Sequence, residues 1–129
     1  MRNLILIITA SIILNTKAPI DSIQPKLNEG HATAYCLQGT MANGDKVHSG
    51  VCAMSDKRML GKTVIVYQRL ADGSVGKQIG IYEVCDTGCK SSVIDVWMPD
   101  IEQCQEFMNL VYEDGCRGKI FYQIVEAEG

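Results

Sequence analysis

The pattern of apolar and polar positions changes character twice along the chain. Residues 4–14, LILIITASIIL, form an almost unbroken apolar run, and residues 19–30, PIDSIQPKLNEG, mix polarity without a period and carry two prolines. From His31 onward, short β-prone runs alternate with turns: HATAYCL, VHSGVCA, KTVIVYQRL, KQIGIYEV, SSVIDVW and GKIFYQIVEA, six strands in all. The turns MANGDK and ADGSVG have a mechanism, because glycine takes a positive φ beside Asn or Asp residues that tolerate one. One segment breaks the alternation. In PDIEQCQEFMNLV, Asp100 is placed to cap a helix, Gln103 to complete a capping box, and Ile101, Cys104, Phe107 and Met108 share one face. A single short helix cannot cover a wide sheet of six strands, so the pattern predicts a mainly β fold closed, or nearly closed, into a small barrel.

The leading segment shapes the rest of the reading. Arg2 followed by the apolar run has the order of a secretory n-region and h-region, which predicts export. The run is shorter than the ~20 apolar residues a spanning helix needs, so its alternative is a buried core strand. Thr16-Lys17-Ala18 is followed by Pro19 rather than a small-x-small cleavage site, which keeps an uncleaved N-terminal anchor open. No Cys ends the run, which disfavours a lipid anchor. The expected organisation is therefore a signal peptide or anchor at 1–18, a linker at 19–30 and one domain at 31–129, in a secreted or extracytoplasmic location. At 129 residues, with 21% charged and 47% hydrophobic residues, the chain suits a single folded domain.

All six cysteines, Cys36, Cys52, Cys85, Cys89, Cys104 and Cys116, lie beyond the leader. An even count in a small exported domain predicts a disulfide framework, with Cys36 and Cys52 as the preferred pair because they fall on neighbouring predicted strands. Cys85 and Cys89 with His31 and His48 offer a zinc alternative, at a spacing wider than structural sites favour; the expectation is no metal and no cofactor. Without residues 1–18 the chain keeps 10 basic against 15 acidic residues, a formal charge of −5. That is a poor match for nucleic acid, whose binding rests on clustered Lys and Arg.

The chemistry concentrates in YEVCDTGCKSSVIDVWMPD, residues 82–100. Strand parity puts Val93, Asp95 and Trp97 on one face of VIDVW, with Ile94 and Val96 on the other. A carboxyl beside an indole and aliphatic surface loses hydration, which raises its pKa toward what a general acid near neutrality requires. The Trp97 face is also a support for a sugar ring. Asp86 differs: in Asp86-Thr87-Gly88 a tight turn offers backbone amides to a carboxylate, which should stay ionised. The simpler alternative is that both aspartates anchor loops through side-chain to backbone bonds. Asp-Thr-Gly also fits an aspartic protease, but one copy of the triplet would require a homodimer to build the dyad.

Taken in order, Ala32-Thr33-Ala34-Tyr35, Ala42-Asn43-Gly44, Gly50-Val51-Cys52-Ala53, Leu60-Gly61-Lys62-Thr63, Asp86-Thr87-Gly88 and Val93-Ile94-Asp95-Val96-Trp97 resemble the three-aspartate ("3D") domain family of exported bacterial proteins, from Ala32 to about Ala127. That family is similar to the double-psi β-barrel of membrane-bound lytic transglycosylase A and stationary-phase muralytic enzymes, and more distantly to expansins. The resemblance implies a six-stranded double-psi β-barrel acting on peptidoglycan glycan strands by lytic transglycosylation, and the chain is expected to be a monomer. Asp95 would be the acid/base and Asp86 its companion, with Thr33, Tyr35, Thr87, Gly88 and Trp97 contacting sugar. The first of the three family aspartates, two positions after Ala53, falls on Ser55, and Asp56, one position later, reads as a solvated turn acid beside Lys57 and Arg58. The competing expectation, from a different class, is a wall-glycan-binding module without turnover.

Overall fold

The computed structural model describes residues 26–126. Six strands, β1 (Asn28–Tyr35), β2 (Val51–Ala53), β3 (Thr63–Arg69), β4 (Val75–Asp86), β5 (Val93–Trp97) and β6 (Lys119–Val125), are joined by one α-helix, α1 (Ile101–Tyr112), between β5 and β6. They close into a barrel in the order β1-β5-β2-β4-β3-β6, with β6 pairing back onto β1. Two of the contacts, β1 with β5 and β2 with β4, are parallel and join strands that are not consecutive in the chain. Closure leaves no sheet edge to be protected.

The alternation legible in the sequence is what fills this barrel. Val64, Val66 and Gln68 of β3 and Ile94 and Val96 of β5 are buried at every second position. Ala32, Cys52, Val84 and Ile120 join them in one core. Each fully buried Val or Ile contributes roughly 1.5–3 kcal/mol relative to exposure. Asp100 Oδ1 accepts the Gln103 amide at 2.8 Å and so starts α1, whose buried face is Cys104, Phe107 and Val111, while Ile101 stays exposed. Phe107 and Val111 belong to the core cluster, and the Phe107 ring meets Tyr82 edge-on at 6.5 Å.

Three expectations are corrected. β1 opens at Asn28, inside the segment read as a linker, because Asn28 and Glu29 find partners in Tyr122 and Phe121 of β6. Residues 47–50 are not strand, since loop 36–50 folds back on itself through Val47 N–H to Gly39 O and a Thr40–Lys46 bridge. The disulfide framework is absent, and all six cysteines are free thiols. The preferred Cys36–Cys52 pair is excluded by topology: β5 lies between β1 and β2, and Cys52 points into the core. The leader at 1–18 and most of the linker lie outside the described residues. Among those described, no helix is long and apolar enough to cross a membrane.

One glycine is required by close approach. A Cβ on Gly30 would lie 2.6 Å from the carbonyl oxygen of Ser92, the same oxygen that accepts the His31 amide at 2.9 Å.

Candidate functional site

Ala53 has both aspartates as register partners: Asp86 on the parallel side and Asp95 on the antiparallel side. Asp95 is in turn paired with Thr33 of β1. Asp86, Ala53, Asp95 and Thr33 therefore form one row across β4, β2, β5 and β1. With adjacent strands roughly 4.8 Å apart, the two aspartate Cα atoms sit roughly 10 Å from one another. Residues distant in sequence are brought together by barrel closure.

Asp95 is partly buried on the outer face of β5, opposite to Ile94 and Val96. The Thr33 hydroxyl donates to its Oδ1 at 2.7 Å. Burial raises the pKa of Asp95 above the ordinary carboxylate value, the Thr33 hydrogen bond opposes that rise, and the neighbouring Asp86 charge reinforces it. Asp86 is held by backbone amides, as its turn predicted: its Oδ1 accepts from Thr87 N–H and from Ala42 N–H, each at 2.9 Å. Ala42 was not legible as a partner. It arrives because the Met41–Asp45 turn, with Gly44 at φ 96°, docks on β4 through Asn43 N–H to Cys85 O at 3.1 Å. Gly88 follows Thr87 at φ 102° and is exposed, leaving open space beside the carboxylate.

The two aromatic residues serve differently from what was expected. Trp97 is only 7% exposed, donates its indole N–H to Leu37 O at 2.8 Å, and packs with Met41, Val51 and Cys85. Its faces are covered by loop 36–50 and are not a sugar platform. Tyr35 packs against the same cluster, and its buried hydroxyl has no hydrogen-bond partner among the described residues. Burial first, then the charges of Asp86 and Asp95, push its pKa up to about 12. Tyr35 thus presents a buried, neutral hydroxyl near the carboxylates, on the same face of β1 as Thr33, and its ring packs into the Trp97 cluster. Cys89, which the sequence reading gave no place here, donates its thiol to Val93 O at 3.4 Å, and Asp95 is among the charges that raise its pKa after burial.

A cavity of about 310 Å³ opens past Val93, with Asn28, Ser55, Asp56, Ser91 and Ser92 as polar lining and Met54, Met59, Tyr122 and Ile124 as apolar lining. Asp56 stands at its rim, where it caps a short 3-10 turn and holds Arg58 at 2.9 Å. That geometry matches a turn acid. Among the described residues no group of three or more His, Cys, Asp and Glu side chains is arranged to hold a metal ion. His31 and His48 are both exposed, whereas Cys85 is buried against Trp97.

No family model matches the chain, and no curated protein matches it. Among solved structures it is similar to the Streptomyces papain inhibitor (SPI), with a TM-score of 0.50 and 19% identity over 78% of this chain and 96% of that one. At that identity the likeness is one of fold: the six-stranded mainly β architecture recurs in a protein of largely different sequence.

Proposed function

We propose that the chain is an exported, monomeric murein-cleaving domain of the three-aspartate type, a double-psi β-barrel in which Asp95 alone serves as general acid and then general base. The observation that carries this reading is the Thr33–Asp95 pair beside Asp86: a carboxyl with a raised pKa, oriented by one hydroxyl and flanked by a second carboxyl fixed by two backbone amides. Two carboxyls in unlike surroundings are the pattern that separates a proton donor from its orienting partner. The parallel β1–β5 and β2–β4 contacts support the double-psi assignment.

In this proposal Asp95 protonates the glycosidic oxygen between N-acetylmuramic acid and N-acetylglucosamine. The same carboxylate then takes the proton of the muramyl C6 hydroxyl as that oxygen closes a 1,6-anhydro ring. No water enters, so a second carboxyl at a set separation is not required, unlike in ordinary glycosidases. The glycan strand would run across Thr87 and Gly88, over Asp95 and Val93, toward the mixed polar and apolar cavity. No metal or cofactor has a step in it.

A second reading, glycan binding without turnover, is favoured by one observation: Trp97 is covered and offers no indole face beside Asp95 to hold a sugar ring. Incubating the purified chain with murein sacculi and analysing soluble products by mass spectrometry separates the two. Anhydromuropeptides that disappear in Asp95→Asn establish transglycosylation. Retention on sacculi without products establishes binding alone. Inhibition of papain with neither retention nor products would align the chain with its structural neighbour and end both readings.

A further inference from the structure

We propose that Cys36 and Cys104 form an oxidisable pair, joined by a disulfide that fastens the first turn of α1 to the end of β1. The inference is independent of whether the site cleaves glycan. Cys36 directly follows β1, between two cross-chain bonds: Met98 N–H to Tyr35 O and Trp97 Nε1–H to Leu37 O, each 2.8 Å. These hold residue 36 against the segment 97–98 that leads into α1. Cys104 N–H returns to Asp100 O at 3.1 Å in the first helical turn, and Cys104 lies with Phe107 and Val111 on the buried face of α1. It is 6% exposed. The helix packs on β1, which brings the Cys36 side of that strand toward the first turn of α1, and the neighbouring Cys36 adds to the burial that raises the Cys104 pKa.

The other four cysteines have different surroundings. Cys52, Cys85 and Cys116 are at most 1% exposed, beyond reach of an incoming reagent. Cys89 is committed to Val93 O. Cys36 and Cys89 are both partly exposed, and of the proposed pair Cys36 is the thiol open to an incoming oxidant.

The oxidant is a disulfide of the glutathione or thiol-oxidoreductase class. The Cys36 thiolate attacks one of its sulfurs and expels one thiol, giving a mixed disulfide. The Cys104 thiolate then attacks the Cys36 sulfur and expels the second thiol. Two thiols of the chain lose their protons and two electrons, and the reagent disulfide becomes two thiols. The bond closes a long loop that contains Asp86 and Asp95, and such closure restricts the unfolded chain strongly. It also ties α1 to the strand that carries Thr33 and Tyr35.

The test uses the full chain, reduced, desalted and exposed to glutathione disulfide at mildly alkaline pH. Intact mass should fall by two hydrogens. Combined tryptic and glutamate-specific digestion, which separates Cys36 from Cys52 and Cys104 from Cys116, should yield a linked peptide joining Cys36 to Cys104. The melting temperature should rise by roughly 10 °C over the reduced form. Cys36→Ser, at a partly exposed position, should fold and lose both the linkage and the rise, while Cys116→Ser should keep the linkage. A linked peptide joining any other two cysteines, or stable glutathionylation of Cys36 with no bridge, overturns the proposal.

Discussion

Replacing Thr33 by valine tests the row of residues on which the candidate site rests. Valine keeps the β-branched shape that suits β1 and removes only the hydroxyl that donates to Asp95 Oδ1 at 2.7 Å. A hydrogen bond to a charged group is worth roughly 1.5–3 kcal/mol. Asp95 is only partly buried, and solvent screening reduces the figure to about 1 kcal/mol here. At about 1.4 kcal/mol per pKa unit, Thr33→Val should raise the Asp95 pKa by roughly 0.7 unit. The sign follows from which form the bond favours: the hydroxyl stabilises the ionised carboxyl, so its loss disfavours ionisation. Its stabilising contribution is present above the Asp95 pKa and fades as pH falls through it. The stability deficit of Thr33→Val should accordingly be largest near neutrality and shrink in acid. A carboxyl-detected NMR titration of both proteins measures the pKa directly, and urea melts at several pH values measure the deficit. An Asp95 pKa in Thr33→Val equal to or below the wild-type value would refute the reasoning, because Thr33 would then not be holding the ionised form.

Other consequences follow from the same geometry. In wild-type protein the raised Asp95 pKa means that this residue favours folding most below the ordinary carboxylate range, and that this contribution is lost as pH rises through the raised value. Asp95→Asn should therefore gain stability relative to wild type between acid and neutral pH, a trend readable from paired melting curves, while losing any anhydromuropeptide release. Trp97→Ala should cost about 3–5 kcal/mol in chemical denaturation, because the indole is buried under loop 36–50; an unchanged midpoint would put it back on the surface as a ligand platform. Asp100→Ala removes the helix cap and should cost about 1 kcal/mol by the same assay, with m unchanged.

The sequence by itself determined the elements. Period-two burial in TVIVYQR and VIDVW, turn glycines after Asn43 and Asp72, and the Asp100 cap are local signals, and local signals survive into the fold because they act within a few residues. Strand parity also placed Asp95 on the face opposite Ile94 and Val96, and the Asp86 turn amides were foreseeable from Asp-Thr-Gly. What only the tertiary structure decided is who stands beside whom across the barrel. Strand order is set by closure and by non-consecutive parallel pairing, which no local pattern encodes; it put Ala53 between the two aspartates, gave Asp95 its Thr33 partner and separated Cys36 from Cys52. The fate of Trp97 was decided in the same way. Parity set the side of the sheet on which it lies, but loop 36–50, whose path depends on docking to β4, determined that this side would be covered. An apolar side chain on an outer barrel face is a platform if the loop leaves it open and part of the core if the loop closes, and the buried indole and its bond to Leu37 O stabilise the closed arrangement.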